Sequence, residues 1–180
     1  LMTPKEVSVA PPATVASTVR QGLAIVAAED KREALRRLIH REDVQNAIIF
    51  CNRKRDVDIL FKSLQKHGFD VGALHGDMVQ SVRTETLERF KNNEIRLLVA
   101  SDVAARGLDV DNLSHVFNFD VPTHPEDYVH RIGRTGRAGK SGASFTLAAP
   151  DEERLVTAIE QLSGKTIERI AIDDLTCEFS

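Results

Sequence analysis

The chain has 180 residues, 42% of them apolar and 28% charged, with a net charge of −3. That is enough for one compact core, which at this size hides about 70% of the surface the unfolded chain exposes. A chain that neither crosses a membrane nor is secreted is expected from two features. No run approaches the ~20 apolar residues of a spanning helix, and the opening LMTPKEVSVAPPATVAS lacks the apolar centre of a secretory signal. Two cysteines, Cys51 and Cys177, are too few and too far apart for a disulfide framework or a metal site, so a reducing, cytoplasmic compartment and no metal are expected. The negative charge sits in the tail. Residues 151–180 hold eight acids and three bases, a net of −5, which leaves +2 on the rest and room for a basic face.

In chain order, residues 1–20, with Pro4, Pro11 and Pro12, read as a linker, and with Leu1 in place of Met the chain is expected to be a piece of a longer protein. A body over 21–164 follows, and 165–180 reads as the start of an extension. Candidate strands are GLAIVA (22–27), AIIFC (47–51), FDVGAL (69–74), IRLLVA (95–100), HVFNF (115–119) and ASFTLA (143–148). Helical spacing of apolar residues falls between them. It carries Leu35, Leu38 and Ile39 on 29–40, then Val57, Leu60, Phe61 and Leu64, then Val79, Val82, Leu87 and Phe90, expected to be buried, on 79–91. A helix from about Pro125 should end near Gly133, and a last one over 151–162 stacks Leu155, Val156, Ile159 and Leu162 behind Pro150 and Asp151. Alternating strands and helices predict an α/β fold with a mostly parallel sheet covered on both faces. Ligands in such folds bind beyond the carboxyl ends of the strands, so the residues just after each strand are the candidates for function.

Two motifs there are deceptive. Gly139-Lys140-Ser141 and Gly164-Lys165-Thr166 end like phosphate-binding P-loops, but the glycine required five residues earlier is Arg134 in one and Ile159 in the other. Asp151-Glu152-Glu153 resembles a magnesium-binding acidic box, yet its place after Pro150 suits helix-start acids stabilised by the dipole. The chain therefore lacks a complete ATP site of its own.

Four segments remain. SDVAARGLDV (101–110) puts Ser101, Gly107 and Asp109 after a buried strand. The glycine allows close backbone approach and the carboxylate can accept a ribose hydroxyl. Asn52, Arg53, Lys54 and Arg55 place cations at a helix start, where the dipole disfavours them. They are either a solvated surface or a phosphate site. HGDMVQSVR (75–83) puts Gln80 and Arg83 on one helical face. HRIGRTGRAG (130–139) spaces Arg131, Arg134 and Arg137 by three, among Gly133, Gly136 and Gly139. One Arg and a glycine cap would end a helix. Three guanidinium groups, always charged and able to grip phosphate bidentately, point to an anion.

Taken together, these segments resemble those of DEAD-box RNA helicases. AIIFCNRKRDV is similar to the family's motif IV, HGDMVQSVR to its Gln-x-x-Arg segment, SDVAARGLDV to motif V and HRIGRTGR to motif VI, in order over most of residues 20–165. The resemblance implies the second, C-terminal RecA-like domain of a bacterial enzyme, a three-layer sandwich. It implies Arg137 as the arginine finger and Arg134 as its companion on the ATP γ-phosphate. Asp109 would bind the ribose, Gly107 would lie against nucleotide or partner domain, and His130 and Arg131 would couple the site to the missing N-terminal half. Taken alone, His130 would more often be structural. Asn52, Arg55, Gly76, Gln80, Arg83 and Ser101 would contact the RNA backbone, Ser101 standing where threonine is usual. ATP and Mg2+ would be held mainly by the N-terminal RecA-like domain, so this half should be inactive alone. RNA, that domain, and an RNA-degradation or ribosome-assembly protein are the partners implied. Three rivals are a DNA helicase of the same superfamily, a docking module for an RNA-processing nuclease complex, and a Rossmann oxidoreductase domain. The last is disfavoured because no Gly-x-Gly-x-x-Gly follows the first strand.

Overall fold

Val-, Ile- and Leu-rich runs that read as continuously apolar are strands buried on both faces. The computed structural model, which describes residues 18–180, has six: β1 (Val19–Ile25), β2 (Ala47–Cys51), β3 (Val71–Leu74), β4 (Leu97–Ser101), β5 (His115–Asn118) and β6 (Gly142–Ala148). They form one parallel sheet in the order β1-β6-β5-β2-β4-β3. Between them run α1 (Lys31–Arg41), α2 (Lys54–Lys66), α3 (Gln80–Lys91), the four-residue α4 (Asp102–Ala105), α5 (Pro125–Ile132) and α6 (Glu153–Ser163). Among the described residues no helix is long and apolar enough to cross a membrane.

Strand alternation sorts the core into two halves. Ile48, Phe50, Leu98 and Val116 face one side, where Phe90 of α3, Tyr128 and Ile132 of α5 and Val156 and Ile159 of α6 cover them. Ile49, Cys51, Val99 and Phe117 face the other, beneath Leu35 and Leu38 of α1 and Leu60 and Leu64 of α2. This is the expected three-layer sandwich. Each fully buried Leu or Phe contributes about 1.5–3 kcal/mol. Burial, with Asp120 nearby, pushes the Cys51 thiol up, so it packs as a small apolar residue.

The structure departs from the sequence reading in α3. Phe90 is buried, but Leu87 is half-buried and Val79 and Val82 are 68% and 48% exposed. The helix begins at Gln80, beyond Leu74 where the short edge strand β3 stops, so no sheet lies beneath its first turn. The last helix also starts two residues later than the spacing suggested. Glu152 precedes it and accepts the backbone N–H of Ala149 at 2.7 Å.

At the amino end β1 begins at Val19, inside the stretch read as a linker. Residues 1–17 of that stretch lie outside the described residues. Residues 165–180 fold back along β1. Leu23 N–H donates to Glu168 O, Ile170 N–H to Leu23 O and Cys177 N–H to Ile25 O, each at 2.8 Å, while Ile167 and Ile172 are buried. The edge strand's polar groups are thereby satisfied rather than offered to another chain.

The amino-terminal rim of the sheet holds a buried polar cluster. His115 lies 3.1 Å from Glu42 through Nε2 and 2.8 Å from Ser114 Oγ through Nδ1, and Arg20 donates to Glu42 at 2.7 Å. Burial lowers the His115 pKa from 6.5, against the pull of Glu42. Burial raises that of Glu42, but hydrogen bonds from Arg20 and His115 outweigh it and leave it below 4.5. In both cases the unfolded chain binds more protons, so stability is complete above about pH 6.5 and falls on acidification, first through His115 and then through Glu42. The melting temperature should therefore drop between about pH 7 and pH 5, and His115→Phe should flatten the upper part of that drop. An unchanged slope in the variant would assign the effect elsewhere.

Candidate functional site

Because all six strands are parallel, their carboxyl ends share one rim, and β2, β4 and β3 are consecutive there. Asn52 follows β2, Ser101 closes β4 and Gly76 follows β3, so topology brings three separate sequence segments together.

Arg131, in the last turn of α5, organises this rim from beneath. It is 1% exposed. Its Nε and one Nη2 hydrogen grip Asp102 bidentately, both at 2.7 Å. Nη1 donates to Asn118 Oδ1 at 3.3 Å and to Asp120 O at 2.8 Å, and Nη2 also donates to Asn52 Oδ1 at 2.8 Å. All five guanidinium N–H groups are thus engaged, and the Phe50 ring lies 5.2 Å away. No donor is left for an outside phosphate. Arg131 joins the ends of β2, β4 and β5, and it reaches any ligand only through the groups it fixes.

Ser101 is also occupied within the chain. It is buried, and its Oγ accepts the N–H of Ala104 at 3.3 Å, capping α4. Beyond α4, Gly107 takes a left-handed backbone with φ +75° in open space, so conformation rather than crowding calls for glycine there. The loop it starts is clamped by Arg134. Nη1 donates to Leu108 O and Val110 O at 3.0 Å, and Nη2 to Ala105 O at 2.8 Å. Burial lowers the Arg134 pKa; Asp111 opposes the shift and Arg137 adds to it. Nε and one Nη2 hydrogen remain without a partner among the described residues.

Arg137 is exposed. After Gly136, left-handed at φ +69°, it opens a short 3-10 turn, and its Nη1 donates to Gly133 O at 3.0 Å. Asp109, Asp111, His130, Gly133, Arg134 and Arg137 line an open groove of about 410 Å³. A lining that holds both carboxylates and guanidinium groups suits a ligand carrying both hydroxyl donors and an anion. His130 is exposed at this groove, with Nδ1 3.9 Å from Asp127. Its companion expectation, Arg131, lies inside the protein.

On the rest of the rim, Asn52 is exposed but tied. Its Nδ2 donates to Val121 O at 3.0 Å and its N–H to Asp120 Oδ2 at 2.9 Å. Arg53 pairs with Asp56 at 3.1 Å and Lys54 with Asp77 at 3.0 Å, while Arg55, Gly76 and Gln80 are exposed. Arg83 is half-buried, and its Nε has no partner among the described residues. The sequence reading missed Asp102, Asn118 and Asp120, the acceptors of Arg131. It also missed Lys31, 6% exposed and 3.6 Å from both Asp120 and Glu152. The one available signal was Asn118, a polar residue inside the apolar run HVFNF. Among the described residues no three His, Cys, Asp or Glu side chains converge as a metal site requires.

Residues 30–139 match the helicase conserved C-terminal domain. The DEAD-box ATP-dependent RNA helicase CshA of Bacillus subtilis is 42% identical over 93% of this chain and 34% of its own length. The chain thus spans about a third of the curated relatives it matches. The E. coli DEAD-box protein SrmB, solved bound to regulator of ribonuclease activity A, superposes with a TM-score of 0.82 at 34% identity, over 88% of this chain and 94% of that one. S. cerevisiae Dbp5, solved bound to RNA and ADP BeF3, gives 0.80 at 28% identity, over 96% and 46%.

Proposed function

We propose, for a chain that belongs to the helicase conserved C-terminal domain family and is the C-terminal RecA-like domain of a bacterial DEAD-box RNA helicase, that it supplies the arginine finger and half of the RNA track of an ATP-driven machine. The observation that carries this is the groove where Asp109 meets Arg134 and Arg137. Arg137 is exposed there, and Arg134 keeps two N–H groups available. Asp109 accepts the ribose hydroxyl, and the two arginines meet the γ-phosphate of ATP carried by the N-terminal half. Phosphoryl transfer depends mainly on positioning and on stabilising charge on the transferred group, which fixed guanidinium donors provide. Mg2+ is held by the N-terminal half.

The strand-end rim carries the RNA. Arg55, Gln80 and Arg83 supply backbone contacts beside the open turn at Gly76, and one tyrosine with no tryptophan leaves little for base stacking. Binding is therefore salt-sensitive and weakly sequence-specific. Closure of both halves on ATP and one strand separates a duplex locally, and hydrolysis releases it. Asn52 shapes the rim rather than reaching outward, because its side-chain amide is bonded to Val121 O and to Arg131, while Ser101, whose Oγ accepts the N–H of Ala104, keeps its hydroxyl hydrogen to donate.

The isolated chain should show negligible ATP turnover and weak RNA affinity, and joining it to the N-terminal half should restore RNA-stimulated turnover. Robust turnover by the pure chain overturns the half-enzyme reading. A second reading, docking of an RNA-processing protein, draws on SrmB, which is solved with such a regulator. It requires no nucleotide dependence, so capture of a partner unaffected by loss of Arg137 favours it.

A further inference from the structure

His75 follows the last residue of β3 and is 8% exposed, although the chain turns to solvent at the next residue. Both ring nitrogens are committed. Nδ1 lies 3.3 Å from the backbone N of Asp77, and since an amide N–H can only donate, Nδ1 accepts. Nε2 therefore carries the proton and donates to Oδ1 of Asp58 on α2, at 3.1 Å. The Asp77 carboxylate pairs in turn with Lys54, the first residue of α2. The turn at Gly76–Asp77 is thus fastened to α2 at two points, through the ring and through this ion pair.

What the turn leads into explains why the fastening matters. Gly76 is exposed, with nothing near the place a Cβ would occupy, so neither crowding nor a side chain restrains the backbone there. The first turn of α3 follows, with Val79 and Val82 exposed, so apolar packing does not fix it. Gln80 and Arg83 are carried by that turn, and Arg55 by the start of α2. Polar ties must therefore set the spacing between these two groups of RNA-contacting side chains.

We propose that His75 is a positioning residue for RNA binding, its imidazole holding the Gly76 turn and the start of α3 in register with the start of α2. The inference rests on the reading of this rim as an RNA track. His75 touches no RNA itself. It selects one conformation of a turn that would otherwise sample several, so that Gln80, Arg83 and Arg55 meet one backbone together.

The test is titration of this chain with a fluorescent single-stranded RNA of about ten nucleotides at low salt. His75→Ala should weaken binding about tenfold, the scale of one or two lost hydrogen bonds. His75→Asn should regain only part of it, because an asparagine oxygen accepts the amide two residues on, as in an Asx turn, but does not reach Asp58. Asp58→Ala, at a half-exposed helix position, should loosen the ring from the other side and reproduce the loss without loss of folding. In a background lacking both side chains of that turn, Gln80→Ala with Arg83→Ala, His75→Ala should add little, since changes acting through the same contacts do not add. A full additive loss in that background, in step with a lowered melting temperature, shows that His75 merely stabilises the fold and ends the proposal. If Gln80→Ala and Arg83→Ala leave affinity at wild type, the RNA track itself is misassigned and nothing remains for His75 to position.

Discussion

Replacing Arg137 by alanine, in the chain rejoined to its N-terminal half, should lower RNA-stimulated ATP turnover by about 10³-fold or more and leave ATP binding near wild type. The expectation follows from where the side chain stands. Arg137 is exposed beside Asp109, with a single hydrogen bond to Gly133 O holding it back. Removing it opens no cavity and leaves no buried partner, so the folded domain should be unaffected. In the proposed role the guanidinium meets charge that grows on the transferred phosphoryl group, and an interaction stronger in the transition state than in the ground state shows in turnover rather than in binding. Arg137→Lys should recover only part of the rate, because a point charge lacks the planar fork. Equal turnover in wild type and Arg137→Ala would make HRIGRTGRAG a structural segment and bring the docking reading forward.

Arg131→Met should produce the largest loss of stability, about 3–5 kcal/mol by chemical denaturation, because breaking a buried pair strands its partner. Methionine approximates the volume, so the cost comes from the groups left behind. Asp102 loses a bidentate cation, while Asn118 Oδ1, Asp120 O and Asn52 Oδ1 each lose a donor. Asn118 is fully buried, so water cannot replace the lost bond, whereas Asp102 is a quarter exposed and recovers some solvation. For a domain of this size the melting temperature should fall by roughly 10 °C. Asp102→Ala should be nearly as damaging, since it leaves the guanidinium buried and unpaired. An unchanged melting temperature with lost ATP turnover would instead give Arg131 the role the family resemblance implied, coupling the site to the N-terminal half.

Much of this was legible without coordinates. AIIFC became β2 residue for residue, and the spacing of Val57, Leu60 and Leu64 marked the buried stripe of α2. Both are local signals, since a strand's run and a helix's period depend on neighbours in sequence. The same rule misjudged Val79 and Val82, because periodicity says which residues share a face but not whether anything lies against it. β3 stops at Leu74, and only the folded sheet shows that.

HRIGRTGRAG marks that boundary most clearly. The sequence by itself determined that three always-charged, forked side chains stand among glycines at the end of a helix, since charge, fork geometry and glycine freedom are properties of the residues. Only the tertiary structure decided that the three have different fates. Arg131 still lies on α5 and faces the sheet, where acceptors from three strand ends, as far as 79 residues away in sequence, use all its donors. Arg134 lies past the Gly133 cap and clamps the loop of Asp109. Arg137 follows the left-handed Gly136 and turns outward. Equal spacing in sequence gives unequal environments because each step past the helix end changes the side chain's direction, and what it then meets is supplied by segments remote in the chain.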